Sequence, residues 1–237
     1  MSLKQVLNSV WNKSYRNGTC KFQEIVGRDD IKLILNKALL SVRPIHILLV
    51  GEPGCAKTLF LTEIMRRVKT SLFVVGSNTT KAGLVNQLFE RRPKFVLIDE
   101  LEKMNKTDQM SLLHLMETGI ISEIKINKTR QIELASWVFA TANSYEKIIQ
   151  PLLSRFTILE MPEYNLEEFT EIALIRLAKV NVDKCITRVI AERVWNELGS
   201  RDIRDVIKVA RLTDTIQDVP FVIKMLSRQN KRIGANG

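Results

Sequence analysis

The sequence predicts an α/β fold: a five-stranded parallel sheet flanked by helices, followed by a small all-helical C-terminal domain. Three observations predict it. Apolar runs of strand length recur between helical stretches over residues 45–159, and one of these runs opens onto a glycine-containing loop that begins a helix. Beyond Pro162 the strand signals stop, while apolar residues at helical spacing continue. Alternating strands and helices imply a parallel sheet covered on both faces.

Residues 1–21 have few apolar positions and several basic ones (Lys4, Lys13, Arg16, Lys21), and read as a basic N-terminal arm. An α/β domain is expected over 22–162. Its first helix runs from Asp29 to about Ser41, with Ile31, Leu33, Ile34, Ala38 and Leu39 near helical spacing and Pro44 beyond its end. Ile45–Val50 is a short apolar run that leads into glycines, the pattern of a buried parallel strand, and a helix follows over Lys57–Lys69. Similar strands are expected at 72–75, 95–98, 137–140 and 156–159. Between the third and fourth, Ile120, Ser122, Ile124 and Ile126, then Ile132 and Leu134, alternate with Glu123, Lys125 and Glu133 on either side of a polar turn. A period of two about a turn predicts a β-hairpin. Asn165 followed by Glu168 is a helix N-cap with its acidic partner, and opens the helical domain expected over 163–230. Residues 231–237 read as a tail.

At 237 residues the chain is long enough for one large or two modest domains, and 45% hydrophobic against 26% charged residues places it among ordinary globular proteins. No apolar run approaches the roughly 20 residues of a membrane span, and the first 18 residues lack a secretory apolar core, so a cytoplasmic protein with no membrane partner is expected. Cys20, Cys55 and Cys185 are too scattered for a disulfide framework or a paired-cysteine zinc site. The net charge of +10 and isoelectric point near 9.6 favour polyanionic partners, nucleic acid among them, although charge alone also serves solubility.

The chemistry begins at Gly51-Glu-Pro53-Gly54-Cys55-Ala56-Lys57-Thr58, placed directly after a strand and opening a helix. That context makes it a phosphate-binding loop. Its backbone N–H groups and the positive helix end suit a β-phosphate. Lys57 would neutralise the β- and γ-phosphates, and the Thr58 hydroxyl would bind Mg²⁺, so ATP and Mg²⁺ are the expected ligands. Ala56 stands where the usual pattern has glycine; a small residue in helical conformation there would still admit phosphate. The strand Phe95–Ile98 delivers Asp99 and Glu100 at its carboxyl end. Asp99 would orient Mg²⁺ and its waters, and Glu100 would polarise the attacking water. Two adjacent acids at a strand end could instead cap a helix.

With these motifs the chain resembles the AAA+ ATPases, and the resemblance runs from about Phe22 to Arg211. Phe22-Gln-Glu-Ile25-Val26-Gly27 resembles the family's adenine-side segment. Ala140-Thr-Ala-Asn143 resembles sensor 1, an asparagine between the two acids and the γ-phosphate; Pro151-Leu-Leu-Ser-Arg155-Phe156 resembles the arginine-finger segment. Gly199-Ser-Arg201-Asp-Ile-Arg204 resembles sensor 2, with Arg201 fitting best and Arg204 remaining possible. Arg201, Arg204, Lys208 and Arg211 fall on one helical stripe, which could equally be a solvated face. The resemblance implies an ATPase whose Arg155 acts on a neighbouring subunit, hence a homo-oligomeric ring, expected as a hexamer.

The hairpin before sensor 1 resembles the insertion that defines one AAA+ branch. Met116–Gly119 and Leu152–Phe156 look most like minichromosome maintenance helicases, which also tend to place alanine before the loop lysine; Gly76–Met104 looks more like RuvB-type Holliday junction helicases. Those relatives imply basic hairpin tips facing DNA, with Lys125, Lys128 and Arg130 as candidates, against an ordinary solvated turn. Gly76–Leu84 contains no aromatic residue, unlike the pore loops of protein unfoldases. RuvB proteins end in a winged-helix domain, for which little chain follows Pro162, so a DNA grip is expected from hairpins, basic arms or a partner. Two alternatives stand beside the DNA motor: a protein remodeller of the MoxR or CbbQ kind, and a nucleotide-controlled assembly switch.

Overall fold

The computed structural model describes residues 22–125 and 128–234, so the predicted basic arm at 1–21 lies outside the described residues. In chain order the elements are α1 (Asp29–Leu39), β1 (Ile47–Val50), α2 (Lys57–Arg67), β2 (Ser71–Val75), α3 (Lys81–Arg91), β3 (Phe95–Asp99) and α4 (Lys106–Thr118). They continue with β4 (Ile120–Lys125), β5 (Lys128–Glu133), β6 (Trp137–Ala142), α5 (Gln150–Leu153), β7 (Thr157–Glu160), α6 (Leu166–Ala178), α7 (Lys184–Glu197), α8 (Ile203–Arg211) and α9 (Val219–Gly234). Two compact units result. Among the described residues the first holds those up to Gln23, 28–52 and 56–161, and the second holds 24–27, 53–55 and those from Pro162 onward.

The first unit is built on a five-stranded sheet in the order β2-β3-β6-β1-β7, with every neighbouring pair parallel. β1 and β6 lie inside the sheet, and all four residues of β1 and all six of β6 are buried. This explains their nearly continuous apolar runs, interrupted only by Thr141 in β6: a strand covered on both faces has no polar parity. β7 differs from the expectation of one more buried strand. It is an edge strand, and Thr157, Ile158 and Glu160 are exposed. α1 stops at Leu39, two residues short of the sequence estimate. There the Ser41 hydroxyl donates to the Ala38 carbonyl and accepts from Trp137 Nε1, both at 2.7 Å, so a tertiary contact ends the helix.

The hairpin forms as expected, with β4 antiparallel to β5 and Lys125 paired with Lys128 across residues 126–127, which lie outside the described set. On β4 the facing is the reverse of what the isoleucine series suggests, while Ile132 and Leu134 turn toward the core as that series implies. Ile120 is 41% exposed, while Ile121 is buried opposite Ile132. On that inner face Glu123 pairs with Arg130, and the Arg130 guanidinium lies 4.5 Å from the centre of the Phe89 ring on α3. A stacked, ion-paired arginine is the polar layer that lets this face turn inward.

The second unit is helical, as expected from the loss of strand signals. The predicted Asn165–Glu168 capping box opens α6. Phe169, Ala173, Ile190, Ala191, Val194, Val206 and Val209 form its buried centre, with the Phe169 and Trp195 rings 5.3 Å apart. α9 continues through residues 231–234, part of the stretch read as a tail, and 235–237 lie outside the described residues.

Candidate functional site

In an open parallel sheet, ligands are received at the carboxyl ends of the strands. Here β1 ends on the Gly51 loop, β3 on Asp99 and Glu100, and β6 next to Asn143. Gly51 is required sterically: a Cβ there would sit 2.4 Å from the Met161 carbonyl oxygen. Lys57 opens α2 and is buried; its Nζ donates to the carbonyls of Gly51 at 2.6 Å and Glu52 at 2.8 Å, which holds the ammonium over the loop.

Ala56 corrects the sequence expectation. It is not helical but left-handed, at φ 66° and ψ 16°. A Cβ in that region costs roughly 1–2 kcal/mol, which is the physical reason the usual motif has glycine here. Cys55 is buried beside it, as a small neutral filler would be.

Thr58 and Asp99 meet. The Thr58 hydroxyl lies 3.0 and 2.9 Å from the two Asp99 carboxylate oxygens. Asp99 is held from the other side by a residue the sequence reading missed, Thr141, whose Oγ1 donates to Asp99 Oδ1 and accepts from the Glu100 N–H at 3.1 Å. Thr141 is fully buried near the carboxyl end of β6, and a hydroxyl within the otherwise apolar run from Trp137 to Ala142 was the available signal. A hydroxyl and a carboxylate side by side form a hard-oxygen donor set that fits Mg²⁺ completed by phosphate oxygens and water. Among the described residues no group of three or more His, Cys, Asp or Glu side chains could hold a metal by itself.

Glu100 turns the chain at φ 56°, and its carboxylate accepts from Lys103 Nζ at 2.7 Å. That hydrogen bond is the main cause raising the Lys103 pKa above its ordinary value. Asn143, at the end of β6, donates through Nδ2 to Oε1 of Glu102, at 2.8 Å, a partner the sequence reading did not name. Arg155 is exposed and ion-paired with Glu117 of the same chain, Nε to Oε1 at 3.0 Å.

In the second unit, Ile25 and Val26 are buried and Gly27 is left-handed at φ 62°. Glu24 of the same segment pairs with Lys179 at 2.7 Å and Arg176 at 3.5 Å, which ties this segment to α6. The expected stripe on α8 loses its first member: Arg201 precedes the helix, which Asp202 caps. The Arg201 guanidinium lies 3.5 Å from the centre of a Trp195 ring and donates to the Trp195 carbonyl at 3.1 Å. Arg204 pairs with Asp202, and Lys208 with Asp205. Arg130 is engaged with Glu123 and Phe89 rather than extended at the hairpin tip. No helix among the described residues is long and apolar enough to cross a membrane.

The phosphate loop after β1 and the two acids at the end of β3, with β6 lying between these strands, define a nucleotide-binding domain of the P-loop class. Residues 47–163 match the family described as "ATPase family associated with various cellular activities (AAA)", and this segment is an AAA domain. The chain is 27% identical over 219 residues to the Holliday junction branch migration complex subunit RuvB of Thermotoga maritima, an alignment covering 85% of this chain and 63% of that protein. It is 26% identical over 210 residues to the DNA replication licensing factor mcm2 of Xenopus laevis, covering 76% of this chain and 24% of the relative. The chain thus spans about a quarter of that licensing factor. Among solved structures, the Thermotoga maritima RuvB Holliday junction branch migration motor superposes with a TM-score of 0.63 at 23% identity, covering 85% of this chain and 70% of that one. That likeness establishes the fold.

Proposed function

We propose that this chain is an ATP-hydrolysing motor of a homo-oligomeric ring, acting on DNA. The observation that carries the hydrolytic part is the meeting of Thr58 with both Asp99 oxygens, braced by Thr141, beside Lys57. Such a cluster fits a Mg²⁺–nucleotide complex, in which the metal would neutralise charge developing on the phosphates. Thr58 and Asp99 would hold the cation; Lys57 and the N–H groups of residues 53–56 would cradle phosphate, save at Pro53, which has none; Ile25, Val26 and Gly27 would flank the base. Glu100 would accept a proton from the attacking water, once its carboxylate leaves Lys103, and Asn143 would orient that water or the γ-phosphate. Arg155 is assigned to a neighbouring subunit's phosphate, and Arg201 to the second sensor within a helical lid at 163–230. Arg204, engaged with Asp202, is the weaker second choice.

The DNA assignment is supported by the names of the relatives, a branch-migration subunit and a replication licensing factor, and by the net charge of +10. Lys125 and Lys128, which flank the hairpin turn, are the proposed phosphate contacts. Arg130 contributes to the hairpin's own packing first. A protein-remodelling role of the MoxR or CbbQ kind stands as the second reading, favoured by that inward engagement of Arg130, which takes one of the three basic candidates away from the tip.

The test is the ATPase rate with and without single-stranded, duplex and four-way-junction DNA across a salt series. Stimulation that falls steeply with salt is expected. Indifference to every DNA form would reject the DNA motor in favour of protein remodelling, and negligible hydrolysis with intact Glu100 would favour a nucleotide-controlled assembly switch.

A further inference from the structure

Asp99 and Glu100 have an acidic neighbour, Glu102, that the hydrolytic site does not use. It sits in the short 3₁₀ turn Leu101–Lys103 that follows β3, two residues beyond Glu100, and is only 9% exposed. Its Oε1 accepts the Nδ2–H of Asn143 at 2.8 Å, and its Oε2 is fully covered with no hydrogen-bond partner among the described residues. A buried carboxylate is costly to keep, and more so with one oxygen unsatisfied. Leucine or methionine would fill the same turn without that cost, so packing does not explain an acid here. The contact does: the acid grips the exposed side chain of Asn143, at the end of β6, through a charge-assisted hydrogen bond.

We infer that Glu102 is a positioning residue for Asn143. The inference rests on the hydrolytic reading above. An asparagine amide has a carbonyl acceptor and a two-proton donor that can exchange places by a rotation of about 180° about its last torsion. Glu102 can only accept, so it holds the nitrogen inward and leaves Oδ1 and the second N–H to face the reaction. Without Glu102 both orientations become available, and the donor–acceptor pattern seen by water and phosphate is averaged. The effect belongs to the chemical step rather than to nucleotide binding, because Glu102 itself lies behind Asn143.

The experiment compares E102L, E102Q, N143A and the double variant E102L/N143A in steady-state ATPase kinetics, with nucleotide affinity and thermal midpoint measured on each. E102L is expected to lower kcat about 10-fold, part of the ~100-fold that a misplacement of about 1 Å can cost, with KM and nucleotide Kd unchanged. E102Q, whose amide oxygen can still accept from Asn143, restores most of that loss. In the N143A background E102L has no further effect on kcat. Wild-type kcat in E102L, or a loss that adds in full to that of N143A, overturns the inference while leaving the hydrolytic reading intact. Wild-type turnover in N143A overturns the role of Asn143 and this inference together. Should E102L not fold, nitrogen-15 spectra of the unsubstituted protein decide: one Asn143 side-chain amide proton shifted downfield and slow to exchange is expected, and both protons at the shifts of a solvent-exposed asparagine with fast exchange refute the bond.

Discussion

Ala56 carries a conformational cost that the rest of the loop sustains. Its left-handed backbone disfavours any Cβ. A56G is therefore expected to raise stability by about 0.5–1 kcal/mol, the relief of strain less the extra entropy of a glycine in the unfolded chain. Denaturant titration checks it, and a lowered midpoint would show that the alanine methyl packs better than its backbone suggests. His46 is the second residue with a measurable consequence. Burial lowers its pKa to about 4, partly opposed by a backbone hydrogen bond with Met116. Its Nδ1 accepts the Val138 N–H at 3.2 Å, which only an unprotonated nitrogen can do. The unfolded chain takes up this proton near pH 6.5 and the folded one only near 4, so the neutral form's stabilisation is complete above pH 6.5 and declines as pH falls through that window. The decline is at most about 3 kcal/mol. H46N should flatten this segment of the unfolding free energy against pH; an unchanged slope would assign it to other groups.

At the scale of elements, the hairpin divides into two functions along its length. Near the base, Ile121, Ile132, Glu123 and Arg130 face inward and fix it against α3 through Phe89. At the tip, the register brings the backbones of Lys125 and Lys128 together. Replacing both lysines with alanine is expected to weaken DNA binding uniformly across sequences and to reduce the salt slope by about one for each phosphate that is no longer neutralised. R130A is expected to act differently, by loosening the hairpin and lowering the thermal midpoint. An unchanged salt slope in the double lysine variant would remove the tip from the DNA surface. The sequence made the hairpin legible through its period of two, but not the facing of β4, because Ile120 and Ile121 are both apolar and the core packing of Ile121 and Ile132, with the Arg130–Phe89 contact beside it, separates them.

At the scale of the whole molecule, Arg155 links the chain to its proposed neighbours. Its partner Glu117 is on the same chain, with the two side chains 48% and 31% exposed. Exposed pairs of this kind contribute about 0–1 kcal/mol, so the guanidinium can leave for a phosphate at little cost. R155A should bind nucleotide normally yet hydrolyse it about 10³-fold more slowly or worse. Mixed with E100Q, itself inactive, it should regain part of the turnover, since some interfaces then join an intact Glu100 to an intact Arg155. Wild-type turnover by R155A, or no recovery on mixing, would refute action across subunits.

The residue types and their spacing were enough to determine the parallel sheet, the phosphate loop, the acids at the third strand and the change to helices after Pro162. Each is local: a buried strand needs an apolar run, and a phosphate loop needs glycines set directly between a strand and a helix. Only the tertiary structure decided that Thr141 braces Asp99, that Asn143 is held by Glu102, and that Arg201 stacks on Trp195 instead of joining the α8 stripe. Thr141 and Asp99 are 42 positions apart, and Asn143 and Glu102 41. Pairings of that range depend on strand order and on the depth at which each chain turns, and no pattern within a single element encodes them.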